Sequence, residues 1–193
     1  MNNNHKLNIL RITLCITLTV ALSASAKAQR FTIGTNAFDW ASLGTANIEA
    51  GIAVSQNVSL HVGAEINPWT FGEKGNGDKQ FQARQISYWA GGRWWPWHVY
   101  SGWWVAGEGR YSIYNIGGIF EKNTEEGRAY GGGVYGGYSI MLNAWLNLDF
   151  GVGVWGGYKT YTRYACPSCG VIVDEGSKGF AVPDARVALM FIF

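Results

Sequence analysis

The feature that most constrains this chain is an alternation of side-chain character with period two, and it is sharpest at the end of the sequence. Over residues 184–193, Ala185, Val187, Leu189, Phe191 and Phe193 form one apolar set, while Asp184 and Arg186 occupy the other parity. Successive side chains of a strand point to opposite sides of a sheet, so this segment reads as a β-strand with one apolar and one polar face. The pattern recurs upstream. Val58, Leu60, Val62, Ala64 and Ile66 alternate with Ser59, His61, Gly63, Glu65 and Asn67, and Leu146, Leu148, Phe150, Val152 and Val154 alternate with Asn147, Asp149, Gly151 and Gly153.

Followed along the whole chain, the alternation predicts eight strands, at roughly 30–39, 46–54, 58–69, 81–95, 102–114, 128–141, 145–159 and 184–193. The connections between them are short near 55, 97 and 143 and long near 74, 120 and 170. Short turns at one end and long loops at the other are the asymmetry of an outer-membrane barrel, with periplasmic turns and extracellular loops. Trp94, Trp97, Trp103, Trp145 and Phe193 gather at the short-turn end, and Trp69, Tyr111, Tyr130 and Tyr158 nearer the long loops. Two aromatic girdles suit a barrel that spans a bilayer. A lipocalin-like barrel would turn its apolar face inward around a ligand, but here the face that opposes the apolar one carries Gly, Glu and Arg. The expected fold is therefore all-β: an eight-stranded antiparallel up-and-down transmembrane β-barrel.

The N-terminus is basic and polar to Arg11, apolar from Ile12 to Leu22, and then small, with Ala24-Ser25-Ala26 and Ala26-Lys27-Ala28 as cleavage boxes. This is the plan of a secretory signal peptide. An apolar core of that length is too short for a membrane anchor, which needs roughly 20 residues. Cys15 lies within it, without the preceding small residues of a lipoprotein site. The expected division is a signal peptide over 1–28 and a barrel over 29–193. Removing Lys6, Arg11 and Lys27 takes the formal charge from +2 to −1, so nothing supports a nucleic-acid partner. No later segment reaches 18 consecutive apolar residues, but a barrel crosses a membrane without one.

Eight strands enclose an interior that side chains just fill. The ionisable residues of inward parity are Glu49, His61, Glu65, Arg93, Glu108, Arg110, Asp149, Lys159, Asp184 and Arg186, a near balance of acids and bases. Buried charges persist when paired and hydrogen-bonded, so an interior charge network plugging the barrel is expected in preference to a pore. Inward glycines on the strands near 133 and 151 leave room for Trp89, Trp104 and Trp155. An enzyme needs a nucleophile and base together at an accessible rim. His61 falls at mid-strand and no Ser-His-acid set can be placed there, so no activity, catalytic residue, metal or cofactor is expected.

Cys166-Pro167-Ser168-Cys169-Gly170 is the sharpest local motif. It reads as a redox dithiol, half a zinc site, or a structural disulfide in an exposed loop. Secretion favours oxidation, no second pair or nearby His completes a zinc tetrahedron, and no thioredoxin-like context surrounds it. A loop disulfide between Cys166 and Cys169 is expected.

Several motifs together resemble an uncharacterised family of small outer-membrane barrel proteins from the Bacteroidetes, which are Gram-negative. They are Asn67-Pro68-Trp69-Thr70-Phe71, Arg93-Trp94-Trp95, Tyr114-Asn115-Ile116-Gly117-Gly118, the Gly-Gly-Tyr at 136–138 and the Cys-x-x-Cys-Gly at 166–170. The resemblance implies a barrel related in shape to the OmpA-type membrane domain, sometimes encoded near fimbrial proteins. A strand that ends on Phe191 and Phe193 resembles the closing strand by which such barrels present an assembly signal to the barrel assembly machinery. The expected role is structural or interactive, in adhesion, fimbrial or envelope assembly, through loops 70–80, 115–127 and 161–179. The expected surroundings are outer-membrane lipid and lipopolysaccharide, with a fimbrial or surface protein as partner. A lipid A-modifying barrel enzyme and a narrow pore are the alternatives.

Overall fold

The computed structural model describes residues 30–72, 80–118, 123–167 and 169–193. The chain divides into two units, Met1–Arg30 and Phe31–Phe193, and the account below concerns the second. The signal peptide expected over 1–28 lies outside the described residues.

The described residues are all-β apart from one short helix. In chain order they form β1 (Phe31–Asn36), α1 (Ala37–Ala41), β2 (Ala46–Ala53), β3 (Val58–Asn67), β4 (Thr70–Phe71), β5 (Phe81–Trp94), β6 (Gly102–Gly117), β7 (Thr124–Asn143), β8 (Leu146–Tyr164) and β9 (Ile172–Ile192). All nine strands join one antiparallel sheet, and the sheet closes into a ring. Each strand pairs with the next from β5 to β9, β9 pairs with β1, β1 with β2, β2 with β3, and β3 with β5. The two-residue β4 pairs with β5 alone, beside the β3–β5 pairing that completes the ring. At one end, here the lower, the seam is tied by Phe31 and Phe193, each donating its N–H to the other's carbonyl at 3.1 and 2.8 Å.

Local chemistry sets the ends of the elements. The first strand stops at Asn36 instead of running to 39, because the Asn36 side chain accepts the Phe38 N–H at 3.2 Å and starts α1. β3 ends before Pro68, which has no N–H for the ladder. The largest departure from expectation is at the upper end. The segments 115–127 and 161–179, expected as loops, are mostly strand: β6 and β7 pair up to Gly117↔Thr124, and β8 and β9 up to Tyr164↔Ile172. Only Ala188 to Ile192 and their neighbours face β1, whose last rung is Asn36↔Ala188. The upper reaches of β6 to β9 therefore form a tall wall opposite the short wall of β1 to β3. Both faces of β9 are exposed from Ile172 to Gly179, so no alternation marks it, although the hydrogen-bond ladder persists.

The two faces of the ring differ as the parity predicts. Val62, Val134 and Val152 are 57, 70 and 69 % exposed on the outside, while Glu49, His61, Arg93 and Asp149 are buried inside. The lower mouth is closed by a plug. The turn after β5 folds inward, bringing Trp95, Val99 and Tyr100 against Trp104, Met190 and Ile192. It is anchored by the Trp95 and Val99 N–H groups on the Asn57 and Gln56 carbonyls, both at 2.8 Å, and by Asn147, which donates to the Tyr100 carbonyl.

Candidate functional site: the charged interior

The interior is built from inward residues of β2, β3, β5, β6, β8 and β9, brought together by ring closure. At its centre, Glu49 and Asp149 lie between two guanidinium groups. Arg93 donates to Glu49 at 2.7 Å and to Asp149 at 3.2 Å. Arg186 forms a two-pronged pair with Glu49, both contacts at 2.7 Å, and reaches Asp149 through Nε at 3.1 Å. Two tryptophans complete the shell: Trp89 donates to Glu49 at 3.1 Å and Trp104 to Asp149 at 2.7 Å. Two-pronged Arg-carboxylate pairing is the geometry in which buried charges are best compensated. The Arg93 guanidinium also lies over the Trp104 ring, 4.8 Å from its centroid.

A second cluster sits higher. His61 contacts Glu108 at 3.3 Å, and Arg110 joins Glu108 to Asp184, each at 3.2 Å. Tyr135 donates to Asp184 at 3.3 Å. Arg110 is stacked between the Trp89 and Trp155 rings, at 5.2 and 5.4 Å. Glu65 accepts from Gln85 at 3.3 Å. A polar cavity of about 200 Å³ runs between these groups and includes Asp39 of α1 in its lining.

Lys159 is inward but separate from the central network. It pairs with Glu125, which also receives Arg163 and Tyr114, both at 3.0 Å. This third cluster belongs to the tall wall. The expected loop pair, Cys166 and Cys169, is a disulfide at the tip between β8 and β9. Phe191 stacks on Trp145 at 5.9 Å on the outer face, and Phe193 is exposed beside the seam.

Parity places Trp89 and Trp104 inside with room left by inward glycines, but it does not show that their indole N–H groups and the Tyr135 hydroxyl donate to the carboxylates of the network. A Cβ at Gly63 would lie 2.2 Å from Trp89, one at Gly137 2.4 Å from Trp104, and one at Gly153 2.3 Å from Tyr135. The signal is present in the sequence: Trp89, Trp104 and Tyr135 have inward parity, and inward glycines stand on neighbouring strands.

Ser87 and Ser112 bond each other at 2.9 Å, and Ser59 accepts from Trp95 at 3.0 Å, so neither arrangement activates a hydroxyl beside His61. Among the described residues, no group of three or more His, Cys, Asp or Glu is placed to hold a metal ion.

No curated protein matches the chain. A family model described as a protein of unknown function, DUF3575, matches residues 12–193, which is nearly the whole sequence, and the chain belongs to that family.

Proposed function

We propose that this chain is an outer-membrane β-barrel of the Bacteroidetes, eight strands spanning the bilayer around a plugged interior, with a structural or surface-interaction role in adhesion, fimbrial or envelope assembly. One observation carries the reading: the closed ring has charged groups inside and large apolar residues outside. Water would favour the reverse, since each exposed apolar side chain forgoes roughly 1.5–3 kcal/mol of burial. A hydrocarbon surround removes that cost, and ring closure satisfies every backbone group it must. The outer aromatics support the same placement. Tyr88, Tyr111, Tyr130 and Tyr158 are successive register partners on β5 to β8, a continuous rung at the level where an upper interface would lie. Trp94, Trp97, Trp103 and Trp145 are exposed toward the lower end.

A plugged interior is favoured over a pore by the Trp95-Tyr100-Trp104 cluster beneath the charge network. The interaction surface is the upper end of the tall wall, the hairpins β6–β7 and β8–β9, in place of the long loops expected. The surroundings are outer-membrane lipid and lipopolysaccharide, reached through the barrel assembly machinery.

The test is fractionation of cells expressing the full chain, then gel migration of the outer-membrane fraction with and without boiling. A heat-modifiable outer-membrane band is expected. Val152→Arg should deplete it, because Arg facing lipid near the midplane costs roughly 2–4 kcal/mol. Unshifted protein in the periplasm, or a Val152→Arg variant as abundant as the parent, would overturn the reading.

A further inference from the structure

The longest unpaired sheet edge among the described residues is on β9. That strand pairs with β8 along its length but with β1 only as far as Asn36↔Ala188, so above this rung its other side carries no strand. The ladder to β1 ends where the Asn36 side chain accepts the Val187 N–H at 2.9 Å. Backbone groups of successive residues point to opposite sides of a strand. The Ile192 N–H goes to the Trp145 carbonyl on the β8 side, and the Phe193 N–H to Phe31 on the β1 side. The β8–β9 register is unbroken from Phe191 back to Asp174. Glu175, Ser177, Gly179 and Ala181, all exposed, therefore turn their N–H and C=O groups away from β8. With one donor and one acceptor per residue, they offer a continuous ladder on the order of 20 Å long.

Proteins blunt exposed edges with prolines and bulges, and here such devices stand at the two ends of the stretch. Pro183 closes it below, on the same side and without an N–H. A register shift closes it above, where Tyr164 faces Ile172. Between them the approach is open: a Cβ at Gly179 would meet nothing closer than 3.8 Å. The side chains that flank this ladder on the inner face are Asp174, Lys178, Phe180 and Val182. Lys178 lies over the Tyr161 ring, 4.8 Å from its centroid, and makes no ion pair among the described residues. Asp174 accepts only the Tyr161 hydroxyl, at 3.1 Å. Phe180 packs edge-on against Trp155 at 4.6 Å, and Val182 is 39 % exposed. A cation with no carboxylate of its own, a carboxylate with no cation and an apolar pair stand along one edge in fixed order.

We propose that this edge is completed by an extended strand of a second, exported protein, added antiparallel to β9 opposite residues 174–182. The backbone groups call for a polypeptide, because a main chain supplies donors and acceptors at a spacing of two residues. The direction follows every other pairing in the sheet. Side chains set the partner's sequence, since opposite charges stabilise a cross-strand pair and like charges oppose it. Read from its N-terminal end, the added strand carries apolar residues opposite Val182 and Phe180, an acid opposite Lys178 and a base opposite Asp174. A second copy does not meet this demand. Two copies in one membrane are related about its normal, so their β9 strands run the same way. The proposal deepens the surface-interaction reading above and rests on its membrane placement.

The experiment titrates the full chain, folded in detergent and scored for heat-modifiable migration, with the capped peptide Val-Thr-Val-Thr-Asp-Thr-Tyr-Thr-Lys, and follows amide hydrogen exchange by NMR. Without peptide, the amides of Glu175, Ser177, Gly179 and Ala181 should exchange fast, while those of Gly176, Lys178 and Phe180, turned to β8, are slow. Peptide should slow the first set and leave the second unchanged. Ser177→Pro removes one edge donor and should weaken binding roughly tenfold or more while keeping the migration shift, and Ser177→Ala should bind as the parent does. Lys178→Glu should reverse the preference between this peptide and one with Lys in place of its Asp. A peptide that protects none of the four amides, undiminished binding by Ser177→Pro, or an unreversed preference overturns the proposal. Protection of the four amides by raising the protein concentration alone gives the edge to a second copy and overturns it too. Protein without a migration shift overturns the barrel reading on which this edge depends.

Discussion

Glu49 and Glu125 are the same chemical arrangement at two heights of one ring. Each carboxylate is held by two cations and one aromatic donor: Glu49 by Arg93, Arg186 and Trp89, Glu125 by Lys159, Arg163 and Tyr114. What differs is the surrounding medium. The Arg93 and Glu49 side chains are 4 and 9 % exposed, the Arg163 and Glu125 side chains 32 and 17 %. In the lower site little water reaches the ions, Arg186 being the most exposed at 17 %, so removing one carboxylate leaves its cations poorly compensated. In the upper site solvent takes over the lost partner. The number of partners therefore says less about the energetics than the depth at which they meet.

The sharpest way to break this comparison is to make one substitution at both positions. Glu49→Ala leaves Arg93 and Arg186 without that carboxylate and is expected to destabilise by roughly 3–5 kcal/mol, read from the urea midpoint of the protein folded in detergent. A loss under about 1 kcal/mol there would put the two sites on the same footing. Next in size is a steric probe of the lower shell. Gly63→Ala places a Cβ 2.2 Å from the Trp89 ring that holds Glu49, and should cost roughly 1–3 kcal/mol in the same titration. Gly107→Ala, where a Cβ meets nothing within 4 Å, is its control and should leave the midpoint unmoved.

The pH responses sharpen the contrast at the mouth. Burial, then the carboxylates of Glu65 and Asp184, outweigh the Asn36 hydrogen bond and Arg110, and push the Asp39 carboxyl up to about 7. A raised carboxyl favours the protonated folded state, so its contribution is whole below the ordinary value of 3.8 and is lost as pH rises through about 7. Asp39→Asn should flatten the stability profile between those limits; an unchanged slope would remove Asp39 as its source. Glu125, above the tyrosine rung, runs the other way. Burial raises its carboxyl, but hydrogen bonds from Lys159, Arg163 and Tyr114 more than offset this and hold it below 4.5. Its contribution is present above that value and is lost as pH falls through the lowered one.

The smallest expected effect is Glu125→Ala, about 0.2–1 kcal/mol by urea midpoint, as for partly exposed pairs. It should shrink further in 1 M salt, where screening acts within about 3 Å, while the Glu49→Ala penalty stays. A salt-insensitive loss at Glu125 would mean that the upper cluster is drier than its exposure implies.

Legibility followed the same vertical division. In the lower ring one face is apolar and the other polar, so parity alone put Glu49, His61, Arg93, Asp149 and Arg186 on one side. It also separated Trp89 and Trp104 from Trp94 and Trp103. In the tall wall both faces of β9 are exposed from Ile172 to Gly179, and β7 begins on Thr124, Glu125, Glu126 and Gly127, so the backbone ladder carries both strands upward without any apolar alternation to reveal it. The inward plug was hidden for another reason. The chain from Trp95 to Tyr100 is too short and irregular to carry a period, and Tyr100 adopts a left-handed backbone at φ 65°, a local choice fixed by Asn147 and the neighbouring strand ends. Lys159 shares the inward parity of the network but rises with β8 to meet Glu125, a matter of height that parity does not encode.

By itself, then, the sequence determined that the chain would be a sheet with a charged face and an apolar face, because period two ties side-chain identity to side at every residue. Tertiary structure decided which charges meet. Arg186 reaches Glu49 across 137 residues of chain only because β9 closes on β1 and sets both strands at one level. Pairing across a closed ring depends on the register of every strand between, and register is a property of the assembled ladder and of no single segment.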